Sequence, residues 1–384
     1  MYYLDNAATS FPKPVEVYDS MNLFIRESCA NPGRSSHEMA RNSASGVMRT
    51  REAAASLFNI DNPLRIGFTA NATYALNMAI QGVLKKSDHV ITTAMDHNSV
   101  LRPLYELKRK GLIDYTVIMP YNSYGAIDVY AVSKAVRSNT KLIVLTASSN
   151  VTGTIMPYEE IGEMARKKGI IYMIDGAQGA GVLPFDVKSM NISMLAFPGH
   201  KGLMGPQGTG GLYVNESVSL SPIIQGGTGS RSFETVQPVF MPDIIECGTL
   251  NTPGIIGLGA GIEFILKLGT DAILKRKEIL LGKLYEGLAV HKKIKLYSTA
   301  ENHKNSGIIA LIINGMDSSE IANLLDARYH IAARPGFHCA PLAHKALGTE
   351  KTGLLRLSLG YFNTFDEIQY TIDSIKEIAE TGKT

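Results

Sequence analysis

The chain has 384 residues, 45% of them hydrophobic and 19% charged, with a formal net charge of +3. That composition suits a soluble globular protein of two subdomains, and without a basic block it gives no case for nucleic acid or an anionic membrane. Three cysteines (Cys29, Cys247, Cys339) without framework spacing argue against a disulfide-stapled secreted scaffold, and no apolar run approaches the roughly 20 residues of a membrane span. The opening MYYLDNAATS lacks a charged region followed by an apolar one, so no signal peptide is read and the cytosol is the expected compartment.

From about residue 64, β-rich runs alternate with helical patterns: LRIGFTA then TYALNMAIQGVL, HVITTAM then SVLRPLYELKRKG, DYTVIMP then AIDVYAVSKAVRS, KLIVLTASS then YEEIGEMARKKG, and afterwards IIYMIDGAQ, ISMLAFPGHK and GTGGLYV. This order predicts a mainly parallel sheet flanked by helices, and continuous apolar strands such as LIVL and IIYMI predict a sheet covered on both faces. After about residue 255 the pattern shifts to long helices, the strand-like SGIIALIIN, helical SSEIANLLDARY, a cysteine loop, LLRLSLG and a final amphipathic helix FDEIQYTIDSIKEIAE. A smaller α+β domain is expected there.

In such sheets ligands bind at the carboxyl ends of the strands. Ala72 and Thr73 follow the first strand at a helix start, where backbone N–H groups and a hydroxyl suit a phosphate but equally suit an ordinary N-cap. His97 follows the second strand and is a weak signal alone. Asn150, after KLIVLTASS, could orient a ligand or simply serve a turn. Asp175 ends a strongly apolar strand, with Gln178 three residues on. A buried carboxylate needs a partner, either a protonated cofactor nitrogen or an internal Arg or Lys. His200 and Lys201 follow the next strand, and lysine is the residue that forms Schiff bases with carbonyl compounds, although most turn lysines are only solvated. The glycine pattern of GLGAGIEF fails the dinucleotide fingerprint, because Ile262 stands where the third glycine is needed and no strand precedes it. No metal site is expected. The order of these groups, each after a successive strand, is the signal.

Across nearly the whole chain, the motifs YLDNAATS, NPGRSSH, FTANATYALN, MDHNSVLRP, SSNVTG, DGAQ, GHKG, GPQGTGGLYV, ECGTLNTPGIIGLGAG, RPGFHCAP and LRLSLGYFNT are similar to those of fold-type-I pyridoxal-phosphate enzymes. The resemblance is to the class V aminotransferase group, and within it to cysteine desulfurases with a short cysteine loop, the selenocysteine lyase-like subgroup. It implies a large cofactor-binding domain over residues 14–257 and a small domain formed by 1–13 and 258–384.

The resemblance further implies that Lys201 carries pyridoxal 5'-phosphate as a Schiff base and then acts as base at the substrate Cα. Asp175 would pair with the ring nitrogen, Gln178 would bond the phenolic oxygen, and His97 would lie over the ring and count among the catalytic groups. Ala72, Thr73 and His200 would hold the phosphate, joined by Thr249 from the other subunit of a homodimer. Arg356 would grip the substrate carboxylate with help from Asn150 and Arg334, Asn150 also counting among the cofactor-binding residues. Arg34 and His37 are weaker candidates to reach the partner subunit's site. Three positions depart from the family's pattern: Pro198 replaces a Ser or Thr, Asn71 a common glycine, and Tyr74 a common glutamate.

Cys339 would be the sulfur acceptor. Its thiolate would take sulfur from L-cysteine, leaving L-alanine and an enzyme persulfide, with His338 and Arg334 as candidates to favour the thiolate. The sulfur would pass to an acceptor protein, whether an iron–sulfur assembly scaffold, a tRNA-modifying protein or another carrier. Cys29 and Cys247 are given no catalytic role. Alternatives on the same scaffold are a selenocysteine lyase acting on L-selenocysteine and an aminotransferase or lyase that leaves Cys339 unused; a non-catalytic scaffold is a third.

Overall fold

The apolar runs between residues 64 and 214 become the strands of one sheet. The computed structural model describes residues 1–33 and 36–382. The chain begins with β1 (Tyr2–Tyr3), α1 (Val15–Glu27) and α2 (Glu38–Leu57). It continues through β2 (Ile66–Thr69), α3 (Ala72–Val83), β3 (Asp88–Thr93), α4 (Asn98–Arg109), β4 (Ile113–Ile118) and α5 (Val129–Lys134). Then come β5 (Thr140–Thr146), α6 (Tyr158–Lys167), β6 (Ile171–Asp175), β7 (Met194–Pro198) and β8 (Gly210–Val214).

Among the described residues these strands form a seven-stranded sheet in the order β2-β8-β7-β6-β5-β3-β4. Its pairings are parallel except those of β8, which runs antiparallel to both β7 and β2. Alternate side chains feed two cores, as a period of two requires. Ile91, Ile143, Leu145, Tyr172, Ile174, Leu195 and Phe197 enter one. Val90, Leu142, Val144, Met173, Met194 and Ala196 enter the other. Burial on both faces is why these strands read as unbroken apolar runs rather than as alternation.

The second part comprises α7 (Thr252–Leu268), α8 (Thr270–Ala289), β9 (Ile294–Leu296), β10 (Ile308–Ile313), α9 (Ser318–Tyr329) and β11 (Ile331–Ala332). It ends with α10 (Pro341–Leu347), β12 (Leu355–Ser358) and α11 (Phe365–Thr381). An antiparallel sheet β12-β10-β9 packs Ile309, Leu311, Leu355 and Leu357 against Leu280 and Leu284 of α8 and Ile368 and Ile372 of α11. A capping box between Thr364 and Glu367 starts α11. The N-terminus returns to this part, with β1 lying parallel to β11.

Helix α2 carries no strong pattern that announces it. The buried face of α2 is made of small residues, including Ala40, Ser43, Gly46, Ala54 and Ala55, so its hydrophobic contrast is weak. Both α1 and α2 pack on α7.

Candidate active site

Lys201 stands on the turn after β7, at the carboxyl end of the sheet. A cavity of about 90 Å³ there is lined by Ala72, Thr73, His97, Asn150, Asp175, Gln178, His200 and Lys201, together with Ser99, Thr146 and Pro198. The structure therefore collects eight of the anticipated residues around one space. Each arrives by the end of a strand: α3 follows β2, His97 follows β3, Asn150 follows β5, Asp175 ends β6 and Lys201 follows β7.

Asp175 is buried, and its Oδ1 accepts the Ala177 N–H at 2.9 Å. It makes no ion pair among the described residues. Burial raises its pKa, partly offset by the Ala177 N–H and by Lys201. Burial also lowers the Lys201 amine to about 8, the charge of Asp175 opposing the shift and Arg356 and Arg334 adding to it. A lysine so poised is far more often neutral, hence nucleophilic, than one in water.

His97 caps α4, its Nδ1 accepting the Ser99 N–H at 3.0 Å. Burial first, then Lys201 and Arg334, pushes its pKa down to about 4, so the ring is neutral. Ser99 also meets Thr73 Oγ1 at 2.8 Å, which ties the start of α3 to the start of α4. Asn71 Oδ1 caps α3 by accepting the Tyr74 N–H, leaving the N–H groups of Ala72 and Thr73 at the head of the helix. Gly210 allows this approach, because a Cβ there would lie 2.9 Å from the Asn71 carbonyl carbon.

The His200 carbonyl, in the peptide joining it to Lys201, is the target of four donors from the N-terminal segment. They are Ser10 N at 3.0 Å, Thr9 Oγ1 at 3.0 Å, Ser10 Oγ at 3.2 Å and Lys13 Nζ at 2.8 Å. Gln178 Nε2 donates to the Ala7 carbonyl of the same segment at 3.0 Å. None of these partners is evident from the pattern of strands and helices.

The small domain brings Arg334 and Arg356 close enough to act on the Lys201 charge. Arg334 and Arg356 are paired by reciprocal backbone hydrogen bonds of 3.1 and 2.8 Å. Cys339 follows in an exposed turn where His338 (φ +50°) and Cys339 (φ +56°) are both left-handed. That conformation costs non-glycine residues about 1–3 kcal/mol each and is concentrated at functional sites. Two bonds dock the turn: Asn150 Nδ2 to the His338 carbonyl at 2.7 Å, and Asn98 N to the Cys339 carbonyl at 2.8 Å. Asn98 is next to His97, so the thiol loop is fastened to the rim of the Lys201 cavity.

His338 is not the cation that would favour a thiolate. Its ring is buried, Nε2 lies 3.1 Å from the Arg334 carbonyl, and burial beside Arg356 drives its pKa to about 3. It is neutral at any ordinary pH, which leaves Arg334 as the cationic candidate. Nor is Arg356 an idle fork, since Nη1 donates to the Asn150 carbonyl at 2.9 Å and Nη2 to Asp5 Oδ1 at 2.8 Å. Thr249 is exposed and lines a different cavity, beside Tyr74, Gly208 and Cys247, so this chain does not bring it to its own Lys201. His37 is exposed and caps α2 through Nδ1, while Arg34 lies outside the described residues.

The chain matches the model for aminotransferase class-V over residues 2–371. The chain belongs to the class-V aminotransferase family. A probable cysteine desulfurase of Methanothermobacter thermautotrophicus is 34% identical over 386 residues, covering 99% of this chain and 95% of that protein. Among solved structures, the apo cysteine desulfurase of Thermococcus onnurineus NA1 superposes with a TM-score of 0.93 at 30% identity, covering 99% of this chain and 95% of that one. The cysteine desulfurase CsdA of Escherichia coli gives 0.88 at 28% identity, covering 99% and 94%.

Membership of the class-V family implies pyridoxal phosphate, and the residues present fit it. A buried carboxylate without an ion partner (Asp175) suits a protonated ring nitrogen. The head of α3 and the buried Nδ1 of His200, unpartnered among the described residues, suit an anionic phosphate. The lowered Lys201 amine suits an aldehyde. Pro198 lines the cavity and contributes no donor there. Among the described residues no group of three or more His, Cys, Asp or Glu could hold a metal ion, and no helix is long and apolar enough to cross a membrane.

Proposed function

We infer that this class-V family member is a cysteine desulfurase, converting L-cysteine to L-alanine and leaving the sulfur as a persulfide on Cys339. The observation that carries the reading is an exposed thiol on a left-handed turn, fastened by Asn98 and Asn150 to the mouth of a cavity holding Lys201. An aminotransferase or lyase that ignored the thiol has no use for such a mounting.

Pyridoxal phosphate bound at Lys201 would supply an electron sink next to the substrate nitrogen. Asp175 would hold the ring nitrogen, Gln178 the phenolic oxygen with its second N–H, and the neutral His97 the ring face. Ala72, Thr73 and His200 would take the phosphate. Arg356, with Asn150 and Arg334, would position the substrate carboxylate. Lys201 then removes the Cα proton. The Cys339 thiolate bonds to the substrate sulfur as the Cβ–S bond breaks. A proton delivered to Cβ and the return of a proton to Cα complete alanine, and both sulfur atoms stay on the loop as Cys339–S–S⁻. The stoichiometry balances with no outside oxidant.

The active unit we propose is a homodimer in which Thr249 reaches the partner subunit's phosphate site. Supporting it, Phe233, Val236, Val239 and Phe240 are exposed on the irregular stretch that leads to Thr249. Residues 14–257 would form the large domain and 1–13 with 258–384 the small one, in the cytosol, with a sulfur-acceptor protein as the final partner. The test is Cys339→Ala in the pyridoxal-phosphate-loaded protein. The reading predicts retained visible absorbance with loss of sulfide and alanine formation from L-cysteine. Unchanged turnover would contradict it.

A further inference from the structure

Arg356 is only 1% exposed, so its charge has left water almost entirely, and its Nε is buried without a hydrogen-bond partner among the described residues. A buried guanidinium is costly unless an anion compensates it. The anion beside it is Asp5, whose Oδ1 lies 2.8 Å from Nη2. Asp5 is fixed in turn by its bridge to Ser358, and its side chain keeps 22% exposure. Arg334 and Lys201 add positive charge nearby.

We propose that Asp5 is an internal competitor for Arg356: it balances the guanidinium between turnovers and weakens the hold on the amino-acid carboxylate, which speeds release of alanine. This inference rests on the reading that Arg356 binds that carboxylate. Two carboxylates then share one guanidinium, and their repulsion at short range in a poorly solvated site opposes binding. Neutralising Asp5 leaves Arg356, Arg334 and Lys201 under-compensated in the free protein but not in the complex, so the bound state gains relative to the free one. A purely orienting Asp5 predicts the opposite sign, because a loosened Arg356 would bind the carboxylate less well.

The experiment titrates L-alanine into pyridoxal-phosphate-loaded wild type, Asp5→Asn, Asp5→Glu and Arg356→Lys, following visible absorbance and heat at equilibrium. Asp5→Asn should bind L-alanine tighter by on the order of tenfold, a usual size for coupling between two sites. Its KM for L-cysteine should fall together with kcat as release slows. Asp5→Glu, which keeps the charge, should stay close to wild type. Weaker or unchanged binding by Asp5→Asn overturns the proposal. If Asp5→Asn does not fold, Asp5→Ser answers the same question of sign. Should Arg356→Lys leave L-alanine affinity intact, the reading of Arg356 fails; should it weaken affinity while Asp5→Asn does not tighten it, only the competitor role fails.

Discussion

Lys201 and Cys339 sit on turns built by opposite means. The Lys201 turn follows β7, in which every residue is buried, and the carbonyl joining His200 to Lys201 receives four donors from Thr9, Ser10 and Lys13. The Cys339 turn follows a two-residue strand and bends through two left-handed residues, whose carbonyls accept one bond each, from the Asn150 side chain and the Asn98 N–H. A base that must meet one proton repeatedly gains from a fixed scaffold. A thiol that must meet a buried substrate and then an outside acceptor needs exposure. A short strained turn provides it without a long arm.

The contrast breaks first at the amine. Lys201→Ala should lower alanine formation by about 10⁴-fold and abolish visible absorbance after addition of pyridoxal phosphate, since base and covalent anchor vanish together. Cys339→Ser should separate the two turns: sulfur release drops to background, while absorbance and pyridoxal-phosphate affinity match wild type. Asp175→Asn should slow turnover by about 10²–10³-fold, the usual cost of removing a preorganised electrostatic partner, measured with saturating cofactor.

A subtler effect is one of pH. With the Lys201 amine lowered to about 8 by burial, its proton must leave before nitrogen can attack a carbonyl. Loading of apo-protein with pyridoxal phosphate should therefore accelerate as pH rises and level off above about 8; a profile still climbing at pH 10 would contradict the lowered value. Smallest is Asn150→Ala, which removes the bond to the His338 carbonyl, worth about 1 kcal/mol. Loss of kcat/KM should be several-fold, with the cofactor spectrum little changed.

How much of this was legible beforehand follows from what sets each feature. The strands and the groups after them could be read because β5, β6 and β7 are buried on both faces and end in Thr146, Asp175 and Pro198, the last followed by Gly199-His200-Lys201. The resemblance supplied the roles. Asp5, Ser99 and Lys13 escaped notice as individual residues, because they act through contacts up to 351 residues apart that no local period encodes. Asp5 did leave a trace, a carboxylate directly after the apolar YYL. The neutral state of His338 was hidden for the same reason: burial against Arg356 and the Arg334 carbonyl is a tertiary fact. Helix α10 had its signals in Pro341 at the first turn and Gly348 at the left-handed cap, beyond the cysteine that drew attention.

The most direct measurement is mass spectrometry of the loaded protein after brief exposure to L-cysteine, without reductant, followed by peptide mapping. One added sulfur atom on the peptide bearing Cys339, and none on those bearing Cys29 or Cys247, is the expected result. Alanine formation with an unmodified Cys339, or sulfur lodged on either other cysteine instead, would contradict it.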